Sequence, residues 1–228
     1  MSLLLFFSAS FLQAGDWQNT WVEWDSPRAA ERLSSSDAND QAFKLLRFFE
    51  GQIHPLYCGV ASSVVALNAL SVKSPECSRI GSFSLFTQTG FVAKVAERVV
   101  GKNTIEKGGL SFNQLTAILK TLPIKVNQYQ ALSMSDARLR EQLLHSLQNP
   151  HQIVLANFER SQINQRGSGH WSPVAAYDSK SDSFLVLDVA RFKYPPYWVK
   201  ADALFKAMRT INGRGQSRGF LTIQKSFS

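Results

Sequence analysis

The chain has 228 residues, 44% of them hydrophobic and 18% charged, and a formal net charge of +8 at pH 7. That length suits one compact domain or two closely packed lobes around a sizeable core, and the composition is that of an ordinary globular protein without repeats or low-complexity tracts. Two cysteines, Cys58 and Cys77, exclude a disulfide framework and a cysteine-based zinc site by count.

The charge is unevenly placed. From Val189 to the end, eight Lys/Arg residues (Arg191, Lys193, Lys200, Lys206, Arg209, Arg214, Arg218 and Lys225) face one acid, Asp202. A basic face attracts anions, and small acidic substrates suit it better than nucleic acid, because no nucleic-acid reading motif accompanies the charge. A solvated, solubilising face is the plain alternative.

Residues 1–15 carry no charge. Leu3 to Leu12 resembles the apolar core of a signal peptide, and Leu12-Gln13-Ala14 offers a small residue at the end of a cleavage site, although the usual positive start is missing. The run is too short to span a bilayer. The expectation is a signal peptide over 1–15, hence a periplasmic or secreted protein, with a cytoplasmic one if the segment is not a leader. Residues 16–228 then form the mature domain.

Asp16 to Ser36, with its interspersed tryptophans, reads as an arm packed on the body. Ala42 to Phe49 is a short helix or extended lead-in to Gln52. Val60, Val64 and Leu67 give helical spacing behind Cys58, and Phe91 to Val100 a second amphipathic helix closed by Gly101. Ser111 caps a helix through Leu115, Ile118 and Leu119 that Pro123 ends. Ile124 to Tyr129 alternates like a strand. Ser135 or Asp136 caps a helix carrying Leu139, Leu143 and Leu147. Beyond Pro150 the period changes to two. Ile153 to Phe158 is a buried strand, Glu159 to Gly169 a polar loop, and His170 to Tyr177 with Ser183 to Ala190 a hairpin. Val199 to Ile211 reads as a helix with a basic face and Gly219 to Gln224 as a last strand. Helices carrying the cysteine, followed by a sheet, predict an α+β fold in two lobes.

Cys58 opens a helix, where partial positive charge and free backbone N–H groups favour thiolate over thiol. Gln52 stands six residues earlier as a second donor to an oxyanion. A buried, inert thiol is the competing reading, and in an exported protein a Cys58–Cys77 bridge would silence the site. The hairpin supplies what a nucleophile lacks. His170 and Asp188 are symmetric about residue 179, and a turn centred on Lys180 moves them to a diagonal approach of about 7–8 Å at Cβ. Asp188 can fix the imidazole tautomer and leave the other nitrogen to take the thiol proton. An Asp in so apolar a strand needs a buried partner. Gly167 and Gly169 leave room for a substrate backbone. His54 lies too close in sequence to Cys58, in a pre-proline turn; His145 and His151 have no carboxylate placed opposite by a hairpin, and no histidine pair has metal-ligand spacing.

Gln52 with Tyr57-Cys58-Gly59-Val60-Ala61-Ser62, then Gly169-His170-Trp171-Ser172-Pro173, Leu187 to Val199 with its Asp-Val-Ala-Arg-Phe-Lys-Tyr-Pro-Pro run, and Arg218-Gly219-Phe220 resemble phytochelatin synthase, a family of the papain-like cysteine peptidase group. The likeness runs from about residue 40 to 225. It implies a papain-like two-lobed fold with catalytic Cys58, His170 and Asp188, and an oxyanion held by Gln52. Attack on the Cys–Gly amide of glutathione would release glycine, and water or a second glutathione would take the acyl group. Asn157 and Arg218, with Gly169, match substrate-binding positions. Leu56 replaces a small residue and Asn212 an Asp common in the family, and the cysteine-rich C-terminal extension is absent, as in the short bacterial members. No tightly bound cofactor is implied; cadmium or zinc would act as a glutathione thiolate complex. The expected partners are glutathione and metal–glutathione complexes, without nucleic acid or a membrane span; a homodimer is compatible. A general cysteine peptidase and a silent thiol- or metal-binding protein are the alternatives.

Overall fold

The computed structural model describes residues 20–75, 79–80 and 83–226. The leader expected over 1–15 and Cys77 lie outside the described residues. Among the described residues nine strands and eight α-helices follow in chain order. They are β1 (Trp21–Glu23), α1 (Pro27–Ser35), α2 (Asp40–Leu46), α3 (Cys58–Ala69), β2 (Arg79–Ile80), β3 (Phe83–Ser84), α4 (Gln88–Lys94), α5 (Lys102–Gly108), α6 (Phe112–Leu119), β4 (Ile124–Gln130), α7 (Asp136–Leu147), β5 (Gln152–Glu159), β6 (Gly169–Asp178), β7 (Ser183–Val186), β8 (Tyr197–Lys200), α8 (Ala201–Met208) and β9 (Gly219–Lys225). Seven strands form one antiparallel sheet in the order β1-β8-β7-β6-β5-β9-β4.

Both faces of this sheet are covered, which is why its central strands read as unbroken apolar runs. Ile153, Leu155, Trp171, Leu185, Leu221 and Ile223 pack with the N-terminal helices. Val154, Phe158, Val174, Phe184 and Phe220 pack with α7 and α8 on the other side. Helix α3 is buried from Cys58 to Asn68, as a helix that is apolar all round must be. The expected α+β fold is the one observed, with Cys58 in the helical N-terminal half and His170 on the antiparallel sheet.

Local expectations met four corrections. The described part of the arm is strand β1 and helix α1, the latter started by Ser26 accepting from Ala29 N at 3.2 Å and by Pro27 in its first turn. The second helix begins at Gln88, because Thr87 caps it through Gly90 N at 3.0 Å, and a separate 3-10 turn covers Ala96–Arg98. Val199 and Lys200 belong to β8, where Tyr197 and Val199 pack on one face and Trp198 on the other; α8 then holds one base, the exposed Lys206. Strand β7 ends at Val186 rather than Ala190, and the Glu159 to Gly169 loop holds a 3-10 turn over Arg160–Ile163 with Arg160, Ile163 and Gln165 buried.

Candidate active site

Helices α1, α4, α6 and α7 each begin with a Ser or Thr whose hydroxyl accepts a first-turn N–H. Helix α3 differs. Its N-cap is Tyr57 and no side chain caps it. The first-turn N–H groups therefore stay available to a ligand or an anion, and the buried, free Cys58 is the first residue of that turn.

His170 approaches Cys58 from β6. The hairpin pairs Asp178 with Ser183, and a bulge between Val174 and Ala176 brings Val174 opposite Val186. Asp188 consequently meets His170 diagonally, not from the directly opposite position, and it does so from the chain just past β7. His170 Nε2 lies 3.0 Å from Asp188 Oδ1 and 2.9 Å from the Ser172 hydroxyl. With Nε2 so engaged, Nδ1 is the nitrogen left for the thiol of Cys58, whose interaction with His170 lowers the thiol and raises the imidazole.

Behind Asp188 stands Arg160. Its Nη2 is 2.9 Å from Oδ1 and 2.8 Å from Oδ2, with both side chains buried. Nη1 donates to Gln165, and the guanidinium lies 4.9 Å from the Tyr194 ring centre. A buried carboxylate is costly unless paired, and here it is paired twice and also accepts from Ala190 N at 2.9 Å. Burial pushes Asp188 up, but His170 and Arg160 together hold it below the usual carboxylate range. Burial pulls His170 down, and the charge and hydrogen bond of Asp188 raise it above an ordinary imidazole. Burial raises Cys58, and the hydrogen bond and charge of His170, with the backbone of Trp171 and Gly59, bring it below an ordinary thiol. These directions favour a thiolate beside an imidazolium.

These groups open onto a cavity of about 760 Å³ lined by Gln52, Cys58, Asn157, Gly169, His170 and Arg218. Asp188 lies behind it, fully buried. Gln52 is at the cavity wall, yet its Nε2 donates to the His54 carbonyl at 2.9 Å and the Pro55 carbonyl at 2.8 Å. To serve an oxyanion it must release one of them. Asn157 Nδ2 donates to the His170 carbonyl at 3.0 Å and ties β5 to β6 at the site. A Cβ at Gly169 would stand 2.5 Å from Arg218 Nη2 and would push the guanidinium aside. That same Nη2 is 2.7 Å from Glu159 Oε2. Asn212 lines the cavity but spends its Oδ1 on Arg214 N at 2.9 Å and Gln216 N at 3.0 Å. The His54 ring meets the Tyr57 ring at a tilt, 4.8 Å between centres, while His145 and His151 are exposed. No cluster of three or more His, Cys, Asp or Glu side chains suited to a metal ion occurs among the described residues.

Sequence reasoning missed Arg160, Ser172 and Glu159. The signal for Arg160 was present: an Asp in an apolar setting needs a cation, and Arg160 directly follows the buried strand. The polar composition of 159–169 hid it.

The family profile described as Phytochelatin synthase matches residues 14–220. Over 184 residues, 80% of its length, the chain is 30% identical to glutathione gamma-glutamylcysteinyltransferase 1 of Arabidopsis thaliana, of which that stretch covers 37%. It is 29% identical over 187 residues to glutathione gamma-glutamylcysteinyltransferase 1 of Triticum aestivum, covering 82% of this chain and 36% of that protein. For the glutathione gamma-glutamylcysteinyltransferase of Schizosaccharomyces pombe the identity is 26%, over 80% of this chain and 43% of that one. The chain thus spans about two-fifths of the length of these relatives. With nearly all of it inside the family match, this chain belongs to the phytochelatin synthase family.

Proposed function

We propose that the chain is a cysteine-nucleophile acyltransferase and hydrolase acting on glutathione. The observation that carries this reading is the buried Cys58–His170–Asp188 arrangement opening on a cavity of tripeptide size in a member of this family. The relatives' names specify transfer of a γ-glutamylcysteinyl group from glutathione. The Cys58 thiolate adds to the carbonyl of the Cys–Gly amide, and the first-turn N–H groups of α3 stabilise the oxyanion. Gln52 joins them once one of its two backbone bonds is given up. His170 returns its proton to the leaving glycine nitrogen, the C–N bond breaks, and a thioester remains on Cys58. His170 then takes a proton from water, giving γ-glutamylcysteine, or from the amine of a second glutathione, giving the longer peptide. Asp188 orients His170 throughout. Thiolate-complexed cadmium or zinc enters as a form of the substrate.

The test is purified protein with glutathione, with and without cadmium, followed by mass spectrometry for glycine, γ-glutamylcysteine and longer oligomers. Glycine release is expected in both conditions. No glycine would overturn the reading, and equal cleavage of an α-linked Glu-Cys-Gly would replace it with a general peptidase.

A further inference from the structure

The backbone of Gln52 is held on both of the peptide planes that meet at its Cα. Its own N–H donates to the Val189 carbonyl at 2.8 Å, which ties it to the segment carrying Asp188. The other two bonds go to one buried side chain, Gln88, the first residue of α4. Gln88 Nε2 donates to the Gly51 carbonyl at 2.8 Å, and Gln88 Oε1 accepts from Ile53 N at 3.0 Å. The second amide proton of Gln88 goes to Glu50 Oε1 at 2.8 Å. Gln88 is in turn tied to the helix that Cys58 opens. Phe86 lies just before it, and the Asn68 amide near the end of α3 donates to Phe86 O at 3.0 Å and accepts from Phe86 N at 2.8 Å. Buried amides thus link α3 through Phe86 and Gln88 to both flanks of Gln52.

What this leaves free is the Gln52 side chain. Its Oε1 has no hydrogen-bond partner among the described residues, so the His54 and Pro55 carbonyls alone hold its amide, through Nε2. To reach an oxyanion at Cys58 that amide must turn. An oxyanion donor is effective when little else has to reorganise as charge develops, and a misplacement of about 1 Å can cost about 10²-fold in rate. With both peptide planes fixed, the turn is confined to side-chain torsions and ends at one place relative to α3.

We propose that Gln88 is a positioning residue for the reaction, fixing the backbone of Gln52 so that its amide meets the oxyanion that forms at Cys58. This rests on the reading of Cys58 as the nucleophile of an acyl transfer with Gln52 as an oxyanion donor.

A double-mutant cycle of Gln88→Met and Gln52→Ala tests it, with glycine release from glutathione and iodoacetamide alkylation of Cys58 measured on each protein. Alkylation needs the thiolate but forms no oxyanion, so it separates the positioning of Gln52 from a general loosening of the site. Gln52→Ala should lower kcat by on the order of 10²–10³. Gln88→Met should lower kcat about tenfold or more, with KM within about twofold and alkylation unchanged. With Gln52→Ala already present it should lower kcat no further. If the methionine variant does not fold, Gln88→Asn, whose amide sits one methylene short, carries the same readings. An equal fall in the Gln52→Ala background, alkylation slowed in step with turnover, a loss confined to KM, or an unchanged kcat in either single variant overturns the proposal. Any of these beside glycine release by the intact protein leaves the proposed reaction standing. No release by the intact protein defeats that reaction, and the role of Gln88 with it.

Discussion

At the Cys58 end of the cavity the functional side chains are buried and held by partners: His170 by Asp188, Asp188 by Arg160, Arg160 by Gln165. At the mouth, Leu56, Phe192, Ile211 and Arg214 stand exposed on loops. The two regions answer different demands. A nucleophile and its base need fixed geometry and a fixed protonation state, which a dry, paired network supplies. A mouth that admits a peptide acceptor must stay open and can order on binding. Substitutions at the inner end should therefore act on kcat and stability, and those further out on KM.

The largest effect expected is from Cys58→Ala, which should abolish glycine release, while Cys77→Ala leaves it unchanged. A full loss from Cys77 would break the assignment of the inner end. Next comes Asp188→Asn, expected to lower kcat by on the order of 10²–10⁴. It should also move Cys58. In the intact protein the thiol lies below its ordinary value and His170 above its own, so each group favours the charged form of the other. The rate of iodoacetamide alkylation should thus rise with a midpoint below the free-thiol value of about 8.5, and Asp188→Asn should shift that midpoint upward. A midpoint at or above the free-thiol value in the intact protein would contradict a preformed pair.

Arg160→Leu tests the next group inward. Removing one partner of a buried ion pair costs about 3–5 kcal/mol, and the lower end applies because His170 still faces Asp188. The sign of its pH dependence follows from the lowered Asp188. That stabilisation is present above the unfolded carboxylate value of about 3.9 and disappears as pH falls through the folded one. Urea titrations of the intact protein and the variant should therefore differ at neutral pH and converge in acid. Gly169→Ala, at the border between the regions, displaces Arg218 and should raise KM about tenfold with kcat little changed.

The inner end was also the more legible. Cys58 followed from a polar lead-in to an apolar helix, and His170 with Asp188 from a hairpin whose turn could be counted. The bulge at Val174–Ala176 escaped because period-two patterns carry no mark of an extra residue. Arg160 escaped because composition placed it in a loop, and burial of a charge is decided by what folds over it. The break between Lys94 and Ala96 escaped because apolar spacing continues through it while the backbone at Val95 does not. Val199 and Lys200 of β8 were read as the start of a helix because β1, which pairs along the outer side of β8, is distant in sequence.

The smallest prediction isolates what separates α3 from the helices that a Ser or Thr caps. Ser135 caps α7 on the sheet face opposite α3, accepting from Arg138 N at 3.2 Å. Ser135→Ala removes one acceptor for the first-turn N–H groups and should cost about 1 kcal/mol, a fall in Tm of about 2–4 °C for a chain of this size. Neither kcat nor KM should change. At α7 the hydroxyl satisfies donors that have no other use, whereas at α3 the same donors are left without a side-chain cap beside Cys58. Loss of turnover in Ser135→Ala at a temperature where the protein stays folded would mean that helix capping and chemistry are coupled across the sheet, and the division between a structural and a reactive helix N-terminus would fail.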